Sequence, residues 1–183
     1  MTRAAAVITV FALAVFSLAA GNVVRGNRGV EARAGAQAGG VGGCTPGPGW
    51  GSLKKRSAGR VLALVNAHRR SLGLHPLRVI GSLQRSARWK ALHMARYLYL
   101  AHDDPAPPVA RSPAERIAAC GFGRGAWGEN IAYGYRTPRA VVDGWLNSPG
   151  HRANIENPIY RTTGIGAASR SGEPMFWAQD FGS

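Results

Sequence analysis

Apolar positions along the chain change their spacing several times, and each change marks an element. Val61, Leu64, Val65, His68 and Leu72 recur at helical spacing, and Gly73 supplies a stop. After the extended His75-Pro76-Leu77, the positions Leu83, Ala87, Ala91, Met94, Ala95 and Leu98 fall on one face of a longer helix that ends near Leu100. Ser112-Pro113-Ala114-Glu115 has the form of a capping box and predicts a short helix through Ala119. Thr137-Pro138 opens another, with Val141, Val142, Trp145 and Leu146 as its buried stripe and Pro149-Gly150 as its break. The segments 131–135, 162–169 and 175–181 carry β-branched or aromatic residues between glycine-containing turns, and Ser171-Gly172 pairs the last two as a hairpin. The pattern predicts an α+β fold in which helices surround a small antiparallel sheet.

The ends of the chain read differently. Arg3 precedes an almost unbroken apolar run from Ala4 to Ala20 that finishes in small residues, the pattern of a secretory signal peptide. The run is short for a permanent membrane anchor, and no cysteine follows it for acylation, so the expectation is a released, extracellular protein. Residues 21–56 are rich in Gly, Ala and Pro and offer too little apolar surface to order a backbone, which predicts a linker. Residues 57–183 have the size of one compact domain.

The formal charge of +14 favours anionic partners, which outside a cell means envelope polymers or lipid headgroups. Arginine carries nearly all of that charge, with lysine only at 54, 55 and 90, and the basic residues are dispersed. That dispersal argues against specific nucleic-acid recognition. Export permits the two cysteines, Cys44 and Cys120, to pair, and free thiols remain the alternative. Asp103-Asp104-Pro105 reads as a solvated turn.

Candidate chemistry gathers in three places: His102, Gly128-Glu129-Asn130, and Ser148-Pro149-Gly150-His151-Arg152-Ala153-Asn154. Imidazole nitrogen and carboxylate oxygen are ordinary zinc ligands, and His102, Glu129 and His151 would leave a position open for water. The same three residues can instead hydrogen-bond one another in a buried polar cluster that orders the fold. Both readings stay open. Asn130 and Asn154 suit backbone groups in irregular turns, and Ser148 with His151 forms a conceivable serine–imidazole pair with no evident oxyanion partner.

The order of helix, His102, Gly128-Glu129-Asn130, Trp145, Gly150-His151-Arg152-Ala153-Asn154 and a closing strand with Trp177 resembles the CAP superfamily of cysteine-rich secretory, antigen 5 and pathogenesis-related 1 proteins, also called SCP, in its bacterial secreted branch. The resemblance covers about residues 61–182 and implies an α-β-α sandwich. It also implies a cavity lined by two histidines and two acids, which in some members binds a divalent cation such as zinc. His102, Glu129 and His151 match three of those positions. Where eukaryotic members carry the fourth acid this chain has Ser148, and Glu115 matches the acid of bacterial relatives. The function implied is a binding module for a lipid, a sterol-like ligand or an anionic envelope component, with a metal-dependent peptidase or esterase as the alternative.

Overall fold

The computed structural model describes residues 43–183, all within one compact unit. The signal peptide expected over residues 1–20 and most of the linker lie outside the described residues. Within these bounds the chain runs β1 (Ser52–Leu53), α1 (Lys55–Ser71), β2 (Arg78–Val79), α2 (Gly81–Tyr97), α3 (Pro113–Ala119), β3 (Trp127–Tyr133), α4 (Pro138–Leu146), α5 (Pro149–Glu156), β4 (Thr162–Ser169) and β5 (Phe176–Gly182). The strands are ordered β1-β4-β5-β3 and pair antiparallel, while β2 adds to β4 in parallel.

Alternation along the strands divides the molecule into layers. Ile131, Ala178, Phe176 and Ala168 pack beneath α2 with Trp89 and Leu92, and Ala132, Trp177, Ala167, Ile165 and Phe181 pack against Val61, Val65, Val142 and Trp145 of α1 and α4. Helix α2 lies close on the sheet because β4 presents Gly164 and Gly166 to it. A Cβ at either glycine would collide with the α2 backbone at Leu83 or Ala87.

Four differences from the sequence reading have physical causes. Ordered structure starts earlier than residue 57: Cys44 is bonded to Cys120, Trp50 is buried against Trp89 and His93, and α1 begins at Lys55. Those anchors supply what the Gly- and Pro-rich composition lacks. Helix α2 stops at Tyr97 because Leu98 takes a left-handed φ of 54°, which turns its side chain out to solvent. Pro149 both ends α4 and starts α5, since proline at the first helical position forfeits an N–H that has no intrahelical partner. Strand β3 begins at Trp127, four residues before the β-branched Ile131 that marks it in the sequence, so Glu129 and Asn130 lie inside the strand.

Candidate functional site

Strand β3 is an edge strand, and its placement organises the site. Even-numbered residues of β3 face β5, so the carbonyls of odd-numbered residues point off the sheet. Side chains cap three of them: the Tyr160 hydroxyl donates to Trp127 O at 2.7 Å, Asn154 Nδ2 to Glu129 O at 3.2 Å, and Trp145 Nε1 to Ile131 O at 3.4 Å. Asn154 Nδ2 also donates to Asn130 Oδ1 at 2.9 Å, and Asn130 Nδ2 donates to His151 O at 3.0 Å. The two asparagines thus fasten α5 to β3 and satisfy an edge that would otherwise be exposed.

Because side chains alternate, Asn130 faces α5 while Glu129 faces the α2 side. There Glu129 is buried and has both carboxylate oxygens committed. His102 Nδ1 donates to Oε1 at 2.8 Å, and Arg116 Nη2 forms an ion pair with Oε2. Burial works against the charge of this carboxylate, but Arg116, the His102 hydrogen bond and Lys90 more than offset it and hold the pKa down at about 2. With Glu129 ionised, its oxygen can only accept, so His102 Nδ1 carries a hydrogen.

Arg116 is the residue that the sequence reading missed. It is fully buried on α3 and bridges two carboxylates, donating also to Asp104 Oδ1 at 2.7 Å. Burial opposes its charge, and Glu129, Asp180 and Asp104 overcome that and raise its pKa. Asp104, expected in a solvated turn, is 2% exposed and receives Lys90 Nζ at 2.9 Å and Arg111 Nε at 3.0 Å as well. Lys90 Nζ further donates to His102 O at 2.8 Å, which fixes the backbone of the loop that carries the imidazole. Within this cluster Arg116, Lys90, Arg111, Glu129 and Asp104 each have a partner of opposite sign, the condition under which such clusters are tolerated.

Glu115 lies outside this cluster, contrary to its expected place in the cavity. It is exposed at the third position of α3, where its carboxylate accepts from Ser112 N at 2.7 Å and from Ser112 Oγ at 2.8 Å. Those hydrogen bonds hold its pKa down. The capping box faces solvent, so the next residue turns inward and Arg116 reaches Glu129. Nothing in the sequence separates Arg116 from the many other arginines.

His151 approaches the β3 edge from the α5 side. Its Nδ1 lies 2.9 Å from Ser148 Oγ, and it makes no hydrogen bond to Glu129 or His102. Burial pushes its pKa down, and the nearby His102 adds to that shift, so the ring is neutral at neutral pH. His102 and Glu129 are therefore joined, while His151 stands close by without touching the carboxylate. The Nε2 atoms of both rings have no hydrogen-bond partner among the described residues.

The expected zinc site does not fit this arrangement. Both Glu129 oxygens and the Nδ1 atoms of both rings are engaged, and among the described residues no group of three or more His, Cys, Asp or Glu side chains is placed to hold an ion. Two grooves lie elsewhere, one of about 350 Å³ between α4 and α5 at Leu146, Pro149 and Arg152, the other of about 270 Å³ at His75, Pro76, Arg78 and Arg161.

The model of the cysteine-rich secretory protein (CAP) family matches residues 62–181. The uncharacterized protein YkwD of Bacillus subtilis is 38% identical over 122 residues, which cover 67% of this chain and 45% of that protein. The chain therefore spans less than half of that relative. An extracellular protein containing an SCP domain from Bacillus anthracis superposes with a TM-score of 0.61 at 26% identity, covering 70% of this chain and 40% of the other. An outer surface protein of Borrelia burgdorferi superposes with a TM-score of 0.65 over 73% of this chain and 98% of its own, and at 21% identity it speaks to the fold alone.

Proposed function

The chain belongs to the cysteine-rich secretory protein (CAP) family, and on that premise we propose that it is an extracellular or surface-located binding module whose ligand sits over His102 and His151. One observation carries this reading. The two Nε2 atoms are uncommitted hydrogen-bonding positions above a floor whose charges are already paired, so the floor orients the rings without competing for a ligand. The neutral His151 ring presents either a donor or an acceptor, and His102, held at Nδ1 by Glu129, leaves its Nε2 for the ligand. Such a pair suits a hydroxyl or amide of an envelope component, each of which can hydrogen-bond imidazole nitrogens.

The extracellular or surface placement is supported by the similar bacterial structures, an extracellular SCP-domain protein and an outer surface protein. A hydrolase needs a nucleophile or an activated water with groups aimed at the developing oxyanion. The Ser148–His151 contact supplies the first half of such a device, and among the described residues none orients His151 from its other nitrogen.

Incubating the protein with envelope extract, re-isolating it and identifying the bound material by mass spectrometry tests the proposal. A small molecule retained by the native protein and lost in both His102→Ala and His151→Ala, with fluorogenic peptides and esters left uncleaved, is the expected result. Turnover that disappears in both variants would replace binding with catalysis.

A further inference from the structure

A second site lies at the far end of the sheet. Arg78 of β2 and the residue before β4, Arg161, are neighbours across a strand pairing, joined by Arg78 N donating to Arg161 O at 3.0 Å. With His75 and Pro76 they line the groove of about 270 Å³, and no carboxylate lines it. Neither guanidinium takes part in an ion pair among the described residues, although like charges on adjacent strands repel.

Directly behind the groove is a third guanidinium. Arg69 of α1 is fully buried, and it spends its donors on carbonyl oxygens: Nε on His75 O at 2.8 Å, Nη1 on Ile155 O at 2.6 Å and Asn157 O at 3.0 Å, Nη2 on Tyr160 O at 3.0 Å. Burial lowers its pKa and Arg161 lowers it further. The neighbouring charge acting on this buried cation is thus another cation, unlike Arg116 in the first site, which bridges two carboxylates. A cluster of three arginines with no ion-pair partner among the described residues is stable in a fold only at a cost that a bound anion would remove.

The walls are also fixed in advance. Arg69 holds His75, Asn66 clamps Leu77 through Nδ2 to O at 3.0 Å and Oδ1 from N at 2.8 Å, and Arg161 Nη1 donates to Pro158 O at 2.6 Å. Among the described residues, the remaining N–H groups of Arg161 and the whole fork of Arg78 have no hydrogen-bond partner. Planar guanidinium forks match the paired oxygens of a phosphoryl group, and little ordering is left to do on binding.

We propose that the groove at His75, Arg78 and Arg161 is a binding site for a phosphate group, separate from the imidazole site and independent of its function. The phosphate can belong to a lipid headgroup or to a soluble phosphate compound.

Thermal unfolding of the untagged protein at constant ionic strength, titrated with sub-millimolar tripolyphosphate, tests this. A saturable rise in midpoint is expected for the native protein, with affinity at least about tenfold weaker in Arg78→Gln and in Arg161→Gln, as the loss of a charge-assisted hydrogen bond implies. Both residues are exposed, so circular dichroism should stay native in the variants, and the unliganded midpoint should not fall, since each removes one of the like charges. Absence of a saturable rise, or equal affinity in the double variant, would overturn the site and assign the effect to the general positive charge. Sedimentation with phosphatidylglycerol vesicles, against phosphatidylcholine vesicles, separates the sources. Vesicle binding that needs Arg78 and Arg161 assigns a headgroup, and vesicle binding indifferent to them, beside a tripolyphosphate response that needs them, assigns a soluble phosphate.

Discussion

Glu129 and Asp180 stand directly opposite one another on β3 and β5, and their carboxyls titrate far apart. Glu129 has Arg116 and His102 at its oxygens and is held down at about 2. Burial pushes Asp180 up to about 8, the negative Glu129 beside it adds to the rise, and its oxygens reach no donor in good geometry among the described residues. One of two facing acids therefore keeps its charge and the other keeps its proton, the expected outcome for close carboxyls served by a single arginine.

The pair predicts opposite slopes of stability with pH. Asp180 titrates near 3.8 in the unfolded chain and near 8 in the folded one, so between those values the folded state binds the extra proton and stability falls as pH rises. Glu129 is depressed, so its contribution is present above its ordinary value of 4.5 and is lost as pH falls towards 2. Asp180→Asn should leave stability at pH 4 near that of the native protein and gain on it steadily up to pH 8, measured by urea unfolding. A variant that tracks the native protein across this range would show that Asp180 ionises freely.

Arg116 should be the most sensitive position on α3. Replacing it by Ala takes one partner each from buried Glu129, left with His102, and buried Asp104, left with Lys90 and Arg111, and removing one partner of a buried ion pair typically costs about 3–5 kcal/mol. Exposed Glu115, one residue earlier, should cost only about 1 kcal/mol as Ala, the loss of a capping contact. Equilibrium unfolding of the two variants side by side checks the contrast, and equal losses would contradict the buried role of Arg116.

Much of the frame was legible because it depends on local rules. Helical spacing located α1, α2 and α4, the Ser112–Glu115 box located α3, and the Ser171-Gly172 turn located the β4–β5 hairpin. Helix α5 was missed because Pro149-Gly150 is both a stop and a start. The site was half legible: His102 meets Glu129, and Asn130 and Asn154 satisfy backbone groups, whereas Arg116 and Asp104 were hidden. Whether a charged residue of a short helix or loop turns inward depends on which partners the tertiary fold sets opposite it, and no local spacing records that.

Close contact between α2 and β4 makes Gly166 intolerant of any side chain. Its Cβ would meet Ala87 O and the Ala91 side chain, both on a helix that is packed over its length and has no room to retreat. Gly166→Ala should lose about 3 kcal/mol, at the upper end of the usual cost of overpacking. Gly150→Ala, where the added carbon has open space, serves as the control and should change stability little.

The bond between Cys44 and Cys120 closes a loop of 76 residues and ties the first described segment to the end of α3. In the chain-entropy account such a loop is worth about 4 kcal/mol, so Cys44→Ser combined with Cys120→Ser should lower stability by roughly that amount. Arg111 Nη1 donates to Gly43 O at 2.9 Å beside the bridge, and its guanidinium lies over the Trp89 ring. Loosening of residues 43–50 should then show as faster amide exchange at Trp50, which is buried against Trp89 and His93. Unchanged exchange at Trp50 in the doubly substituted protein would mean that packing alone holds the segment.

Zinc should leave the melting midpoint of the native protein unmoved. A ligand set needs lone pairs that are free to point at one centre, and here Glu129 gives one oxygen to His102 and the other to Arg116. Among the described residues only the Nε2 atoms of His102 and His151 remain there, two ligands where structural and catalytic zinc sites use three or four from the protein. Buried Arg116 and Lys90 lie behind the carboxylate and repel a second positive charge. Binding to the folded state alone raises stability by about 2.7 kcal/mol when free ligand exceeds the dissociation constant about a hundredfold, so even a moderate site would be visible. Untagged protein melted with chelator and then with excess zinc should give superimposable curves. A zinc-dependent rise that vanishes in both His102→Ala and His151→Ala would require Glu129 to exchange Arg116 for the metal, and would overturn the ion-paired floor as the resting state of the site.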